Sequence, residues 1–204
     1  MAAVAPQPRI SGEGTPERDW QGWDGLRRVP RIYLRQVVPG AGRLVVVAPH
    51  PDDEVLAAGG LIAMLAQRSR PAWIVAVTDG SASHPGSVRW TPDQLARIRQ
   101  RESAIGLRVL GLNEDSVLRL RIPDGQVGSH TATLVAALQA LLLPADVVVS
   151  TWSGDGHPDH EATAVAAAEA CASVRCTHLQ APVWMWHWAS PGDQRVPWGS
   201  LRRI

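Results

Sequence analysis

Three short valine-rich runs limit what this chain can fold into. RLVVVA (43–48), AWIVAV (72–77) and ADVVVST (145–151) are each continuously apolar over the length of a strand. A strand without polar alternation needs cover on both faces, which a parallel sheet between two helical layers supplies. The stretches between them carry helical periodicity. EVLAAGGLIAMLAQRS (54–69) is one helix, and Gly59 and Gly60 within it point to close packing on the sheet. Thr91-Pro92 reads as an N-cap with Pro at the first helical position, opening a helix that runs to Leu110 and stops at Gly111. Residues 131–142 and 160–174 complete the helices. SVLRLRI (116–122) alternates and reads as a strand, as does PVWMWHW (182–188) with its Trp at every second position. Strands alternating with helices predict a three-layer, Rossmann-like α/β fold with a mostly parallel sheet.

At 204 residues the chain is long enough for one domain with a sizeable core. Residues 1–40 read as an N-terminal extension, loose over its first dozen positions. Residues 41–204 read as a single domain that closes soon after its last strand, as if cut short at the C-terminus. A net charge of +1 gives no reason to expect a nucleic-acid partner. Every basic residue is Arg, which excludes a Schiff-base lysine and a P-loop lysine. Cys171 and Cys176 read as reduced thiols, since no further Cys completes a zinc set. No run is long enough for a membrane span and no leader pattern opens the chain, so a cytoplasmic address is expected.

The chemistry concentrates in two polar loops. PHPDDE follows the first apolar strand and DGHPDH follows the run VVVST. Polar groups are costly to bring near a core, so something must compensate for them. Sites in open parallel sheets form at the carboxyl ends of strands, where both loops lie. Together they offer His50, Asp52, Asp53, His157, Asp159 and His160. Two His and one carboxylate make a catalytic zinc set, with carboxylates left over for acid–base work. The alternative for each residue alone is a helix cap or loop hydrogen bond: Asp52 or Asp53 for the first helix, Asp159 for the other.

The pair PHPDDE and HPDH, together with VTDGSASHP and the R-x-x-E pair Arg99/Glu102, resembles the PIG-L/LmbE-like zinc-dependent deacetylases over roughly residues 43–188. The resemblance implies an LmbE-like fold and hydrolysis of an N-acyl group, usually N-acetyl, on an amino sugar or sugar-bearing small metabolite. It implies zinc ligation by His50, Asp53 and His160, with Asp52 as general base. His157 would stabilise the oxyanion or protonate the leaving amine, and Asp159 would orient His157. Where some sugar deacetylases of the family carry Tyr, this chain has Asp155, which weakens the case for a mycothiol-type precursor. Asp155, the nearby Trp152 and Arg99 are assigned to substrate contact, Arg99 having an ion pair with Glu102 as its alternative. Fe(II) or Co(II) would also suit the ligand set.

Two rival functions stand beside this one. One is another metal-dependent hydrolase, an esterase or phosphoesterase. The other is a non-catalytic sugar-binding member that uses the nine Trp residues, some of which could stack on a sugar ring. A dinucleotide site is not expected, because no G-x-G-x-x-G follows the first strand. His84 reads as a loop residue, His130 and His178 as structural or solvent-facing, and His187 as a candidate cleft residue.

Overall fold

A computed structural model describes residues 10–204. Three short helices, α1 (Glu17–Gln21), α2 (Asp24–Arg28) and α3 (Leu34–Val37), precede the first strand, β1 (Leu44–Ala48). Then follow α4 (Asp53–Ala66), β2 (Ala72–Ala76), α5 (Pro92–Val109) and β3 (Val117–Arg119). The chain continues through α6 (Thr131–Leu141), β4 (Val147–Thr151), α7 (Pro158–Val174), β5 (Thr177–Ala181) and α8 (Met185–Trp188). The five strands form one sheet in the order β3-β2-β1-β4-β5, and every pairing is parallel.

The side-chain alternation of β1 builds both halves of the core. Val45 and Val47 face a cluster with Val75, Val148, Leu134, Leu138, Ala166 and Ala170, under α6 and α7. Leu44 and Val46 face the other way, onto Ile74, Val149, Ile62, Leu65 and Leu107, under α4 and α5. Both faces are therefore apolar, as the continuous valine runs require. Each large apolar side chain so buried contributes about 1.5–3 kcal/mol. At the amino ends of the central strands Arg43 clamps Asp146 with two donors, Nε at 2.8 Å and Nη2 at 2.6 Å.

The order of the sheet decides where a site can form. From β1 the chain moves outward through β2 to β3, then returns to the other side of β1 for β4 and β5. The connections leaving β1 and β4 thus diverge, and a crevice opens between them at the carboxyl ends. PHPDDE and DGHPDH flank that crevice.

Three expectations need correction. The last strand is THLQA (Thr177–Ala181), and PVWMWHW instead turns into α8. β5 is an edge strand with mostly exposed side chains, so it has no apolar run to announce it. Pro182 cannot extend the ladder, and Met185 is buried while its Trp neighbours are not, a helical rather than a strand pattern. SVLRLRI shrinks to the three residues of β3, also at an edge. Finally, Gly59 and Gly60 do not mark close approach to the sheet. A Cβ at Gly59 would make ordinary contacts with Leu110 and Val55 at 3.5 Å, and one at Gly60 would meet nothing within 4 Å.

The N-terminal segment is packed as far as it is described. Trp20 is buried with Met185, Ala189 and Val196, and Val37 and Val38 belong to the core beneath α4. Ile32 and Arg203 exchange backbone contacts, since the Ile32 N–H donates to Arg203 O at 2.8 Å. Positions 1–9 of the expected loose start lie outside the described residues. Cys171 and Cys176 are free thiols. Among the described residues no helix is long and apolar enough to cross a membrane.

Candidate metal centre

Both loops place a helix start over the end of a buried strand, and each presents a side chain inward three residues after its His. In the first loop that residue is Asp53, and in the second it is His160; both are buried. With His50 they form a tight triangle. His50 Nδ1 lies 3.2 Å from Asp53 Oδ2 and 3.3 Å from His160 Nε2, and His160 Nε2 lies 3.2 Å from Asp53 Oδ2. Ligands about 2.0–2.1 Å from a tetrahedral zinc would be spaced about 3.3 Å apart. The three edges therefore have the dimensions of one face of a metal coordination sphere.

The outer partners of the two imidazoles fix which nitrogens face inward. His160 Nδ1 donates to Asp155 Oδ2 at 2.8 Å. His50 Nε2 faces Asp124 Oδ1 and Asp159 Oδ2, each at 3.3 Å. A proton on each outer nitrogen leaves the inner lone pairs pointing at one another and at a carboxylate, which is unfavourable without a cation between them. A carboxylate behind a ligating His is the usual support of a metal site. Electrostatics agree. Burial pulls His50 down, but the hydrogen bonds it donates to Asp124, Asp159 and Asp53 outweigh this and push the imidazole up to about 11. Burial works against the Asp53 carboxylate, yet His160 and His50 hold it well below the usual range. With no cation between the ligand atoms, the surrounding carboxylates draw a second proton onto His50 in its place. His50, Asp53 and His160 are a group that could hold a metal ion.

Around this triangle lies a cavity of about 610 Å³ lined by His50, Asp52, Asp124, His157, Trp184 and His187 among others. Asp52 sits at the N-cap of α4 with φ 148°, a backbone conformation that side chains other than Gly rarely adopt. Its side chain makes no cap bond. Instead Arg99 of α5 donates to Asp52 Oδ2 at 2.5 Å and to the carbonyl of Pro51 at 2.8 Å. The Asp52 N–H donates to Glu54 Oε2 at 3.1 Å, and Glu54 accepts from Ser103 of α5 at 2.5 Å. The strained loop is thus held from outside by one helix. Burial and the neighbouring Asp53 raise the Asp52 carboxyl, and Arg99 restrains the rise.

His157 is the N-cap of α7, and its Nδ1 accepts from the Asp159 N–H at 3.2 Å. That bond leaves the ring proton on Nε2. Burial, then the charges of His50 and His160, push His157 down to about 4, so the ring is neutral near pH 7.

Several assignments change in the structure. The Asp159 carboxylate does not reach His157. It accepts from the N–H groups of Gly125 at 2.8 Å and Val127 at 3.1 Å and faces His50, so only its backbone orients His157. Asp155 is fully buried and cannot contact substrate. It accepts from His160 and from the backbone N–H groups of Val183, Trp184 and Met185. Its place in the Tyr position therefore says nothing about substrate. Trp152 stacks on Trp188 and lines a separate small crevice with Pro182 and Val196. Arg99 lines the cavity but is held by Asp52, Pro51 and Glu102, the last at 2.8 Å, so the expected Arg–Glu pair is also present. Asp124 and Glu54 were not singled out for roles. Asp124 lies in the turn Pro-Asp-Gly just beyond β3, and that position at a strand's carboxyl end was the available signal.

Residues 45–171 match the PIG-L family, described as GlcNAc-PI de-N-acetylase. The 1D-myo-inositol 2-acetamido-2-deoxy-alpha-D-glucopyranoside deacetylase of Mycolicibacterium gilvum is 31% identical over 189 residues, covering 79% of this chain and 64% of that protein. A probable N-acetyl-alpha-D-glucosaminyl L-malate deacetylase 2 of Bacillus anthracis is 31% identical over 64% of this chain and 60% of its own. The solved structure of N,N'-diacetylchitobiose deacetylase from Pyrococcus horikoshii aligns with a TM-score of 0.59 at 26% identity, covering 78% of this chain and 59% of that one. The chain thus spans less than two thirds of the length of each of these relatives. With the fold shared and the match running from β1 through most of α7, the chain belongs to the PIG-L family.

Proposed function

We propose that this protein is a metal-dependent deacetylase that removes an N-acyl group, in the first place N-acetyl, from an amino sugar or a sugar-bearing small metabolite in the cytoplasm. The observation that carries the reading is the His50–Asp53–His160 triangle, with Asp52 and His157 lining the same cavity. The relatives named above act on N-acetylated sugars by their descriptions, which supports the substrate class.

His50, Asp53 and His160 would hold the ion, Zn²⁺ by preference and Fe²⁺ as the alternative in the cell. When bound, such an ion acidifies water and polarises an acyl oxygen. The chain's own residues do the rest. Asp52 accepts a proton from the attacking water, and burial, which raises its carboxyl above the usual value, makes it a better proton acceptor than a solvated carboxylate. His157, neutral and protonated at Nε2, donates a hydrogen bond to the acyl oxygen as negative charge develops there. As the C–N bond breaks, Asp52 returns its proton to the departing amine. The products are a carboxylic acid, which then ionises, and a free amine. Arg99 keeps Asp52 aimed into the cavity throughout.

The test is elemental analysis of purified wild type and His160→Ala, followed by acetate release from N-acetylglucosamine glycosides with Asp52→Asn as control. About one metal per chain, lost in the first variant, and release lost in the second are the expected results. A metal-free wild type that stays so after zinc is supplied would overturn the reading.

A further inference from the structure

Two segments outside the stretch that matches the family meet beside the metal centre. Residues 14–23 clasp the turn 182–189, which leaves the edge strand β5. The Thr15 N–H donates to His187 O at 2.8 Å and its hydroxyl to Ala189 O at 2.6 Å. The Trp20 indole N–H donates to Trp186 O at 3.0 Å, and the two rings meet edge to face at 5.2 Å. Gly14, at φ +67°, passes so close that a Cβ there would collide with the His187 ring. Trp20 is buried with Met185, Ala189 and Val196, and its ring also meets those of Trp23 and Trp198 at 6.2 and 6.1 Å. The clasp is a small core of its own, separate from the two that cover the sheet.

The same turn grips the second motif loop from its other side. The buried Asp155 carboxylate accepts from the N–H groups of Val183 at 3.0 Å, Trp184 at 3.0 Å and Met185 at 2.9 Å. The Trp188 indole N–H donates to the Asp155 carbonyl at 2.8 Å. Burying a carboxylate is costly unless donors surround it, and the turn supplies three of them. Asp155 also accepts from His160 Nδ1 at 2.8 Å, which sets the nitrogen that His160 offers to an ion. An unbroken run of contacts therefore leads from Trp20 and Thr15 through the turn to Asp155 and His160.

We propose that Thr15 and Trp20 are positioning residues for the metal centre. They seat the turn, the turn presents its N–H groups to Asp155, and Asp155 holds His160 in place. The N-terminal segment is then a working part of the site, although it lies outside the family stretch. The inference rests on the proposed function for the ion, and on packing for the rest.

Zn²⁺ affinity is measured by chelator competition on the full chain for wild type, Trp20→Ala, Thr15→Val and Leu65→Ala, with circular dichroism melts to confirm folding. Leu65 lies in the core at the end of α4 away from Asp53, so its variant reports lost stability alone. Trp20→Ala is expected to weaken Zn²⁺ binding about three- to tenfold and Thr15→Val about threefold. Leu65→Ala melts earlier but binds Zn²⁺ as wild type does. In an Asp155→Asn background Trp20→Ala causes less than about a twofold further loss, because the link is already cut. A folded Trp20→Ala with wild-type affinity overturns the proposal. So does an equal loss in Leu65→Ala, or an undiminished loss in the Asp155→Asn background. If Trp20→Ala does not fold, Thr15→Val decides by the same criteria. Wild-type Zn²⁺ binding that neither variant moves leaves the proposed function intact, whereas a wild type that takes up no Zn²⁺ overturns both.

Discussion

The chain uses the tripeptide His-Pro-Asp twice, and in opposite senses. In the first loop His50 points into the ligand triangle, while Asp52 is turned to the cavity with its side chain 48% exposed. In the second loop His157 faces the cavity, while the Asp159 side chain is only 2% exposed and bound to backbone N–H groups. The difference lies in where the helix starts. α4 begins at Asp53, three residues after its His, and α7 begins at Pro158, one residue after. The later start leaves Asp52 outside the helix at positive φ; the earlier start winds Asp159 into the first turn. Identical local sequence therefore yields a half-exposed carboxylate facing the cavity in one loop and a buried brace in the other. Position +3 escapes the inversion, because both starts turn it inward.

The largest expected effect tests position +3 against the His that opens the motif. His160→Ala takes one imidazole from each of the buried carboxylates Asp53 and Asp155, so metal uptake is lost and stability falls by about 3–5 kcal/mol. His157→Ala, in the open position, keeps fold and metal while kcat falls about a hundred- to ten-thousand-fold. Metal analysis, thermal melts and acetate release separate the two. If both variants lose metal equally, the contrast between inner and outer His collapses.

The two Asp residues should divide the other way. Asp52→Asn lowers kcat by about two to four orders of magnitude and leaves stability near wild type. Asp159→Asn weakens the contacts to Gly125, Val127 and His50 and costs about 1–3 kcal/mol in a denaturant melt. Asp155→Asn sits between these cases. It keeps the volume but not the charge behind His160, and metal affinity measured by chelator competition falls about 10–100-fold.

The smallest effect lies just outside the second loop. His178 of β5 contacts Ser150 of β4, and burial holds its imidazole below the ordinary value of 6.5. The unfolded chain therefore binds more protons than the folded one once pH drops past about 6.5. Its contribution is complete above that pH and declines as pH falls through the lower, folded value. His178→Gln should flatten this part of the stability–pH curve and leave the alkaline side unchanged.

Legibility in the sequence followed burial. The three central strands and the four long helices were readable because each meets a core on a regular repeat, as Val45 and Val47 against Leu44 and Val46 show. Of the two edge strands, β3 was read too long and β5 was missed. β5 carries Thr177, His178 and Gln180, and an edge strand is under no demand to be apolar. At the site, the six residues His50, Asp52, Asp53, His157, Asp159 and His160 were legible as a group because two motifs repeated at two strand ends, and the family resemblance implied His50, Asp53 and His160 among them. Asp124 and Asp155 were not legible in their roles, since a turn Asp looks the same whether it faces water or braces an imidazole.

By itself the sequence determined the layer architecture and the chemical inventory of the site. Periodicity and polar punctuation are local properties, and they sort residues into strands, helices and loops wherever a core must be covered. What only the tertiary structure decided was which of those residues meet. The return of the chain across β1 brought His50 within 3.3 Å of His160, 110 positions away. The clasp of Thr15 on His187 spans a similar gulf in sequence. Such meetings depend on strand order and helix register, which are settled by packing over the whole molecule and leave no mark on either segment alone.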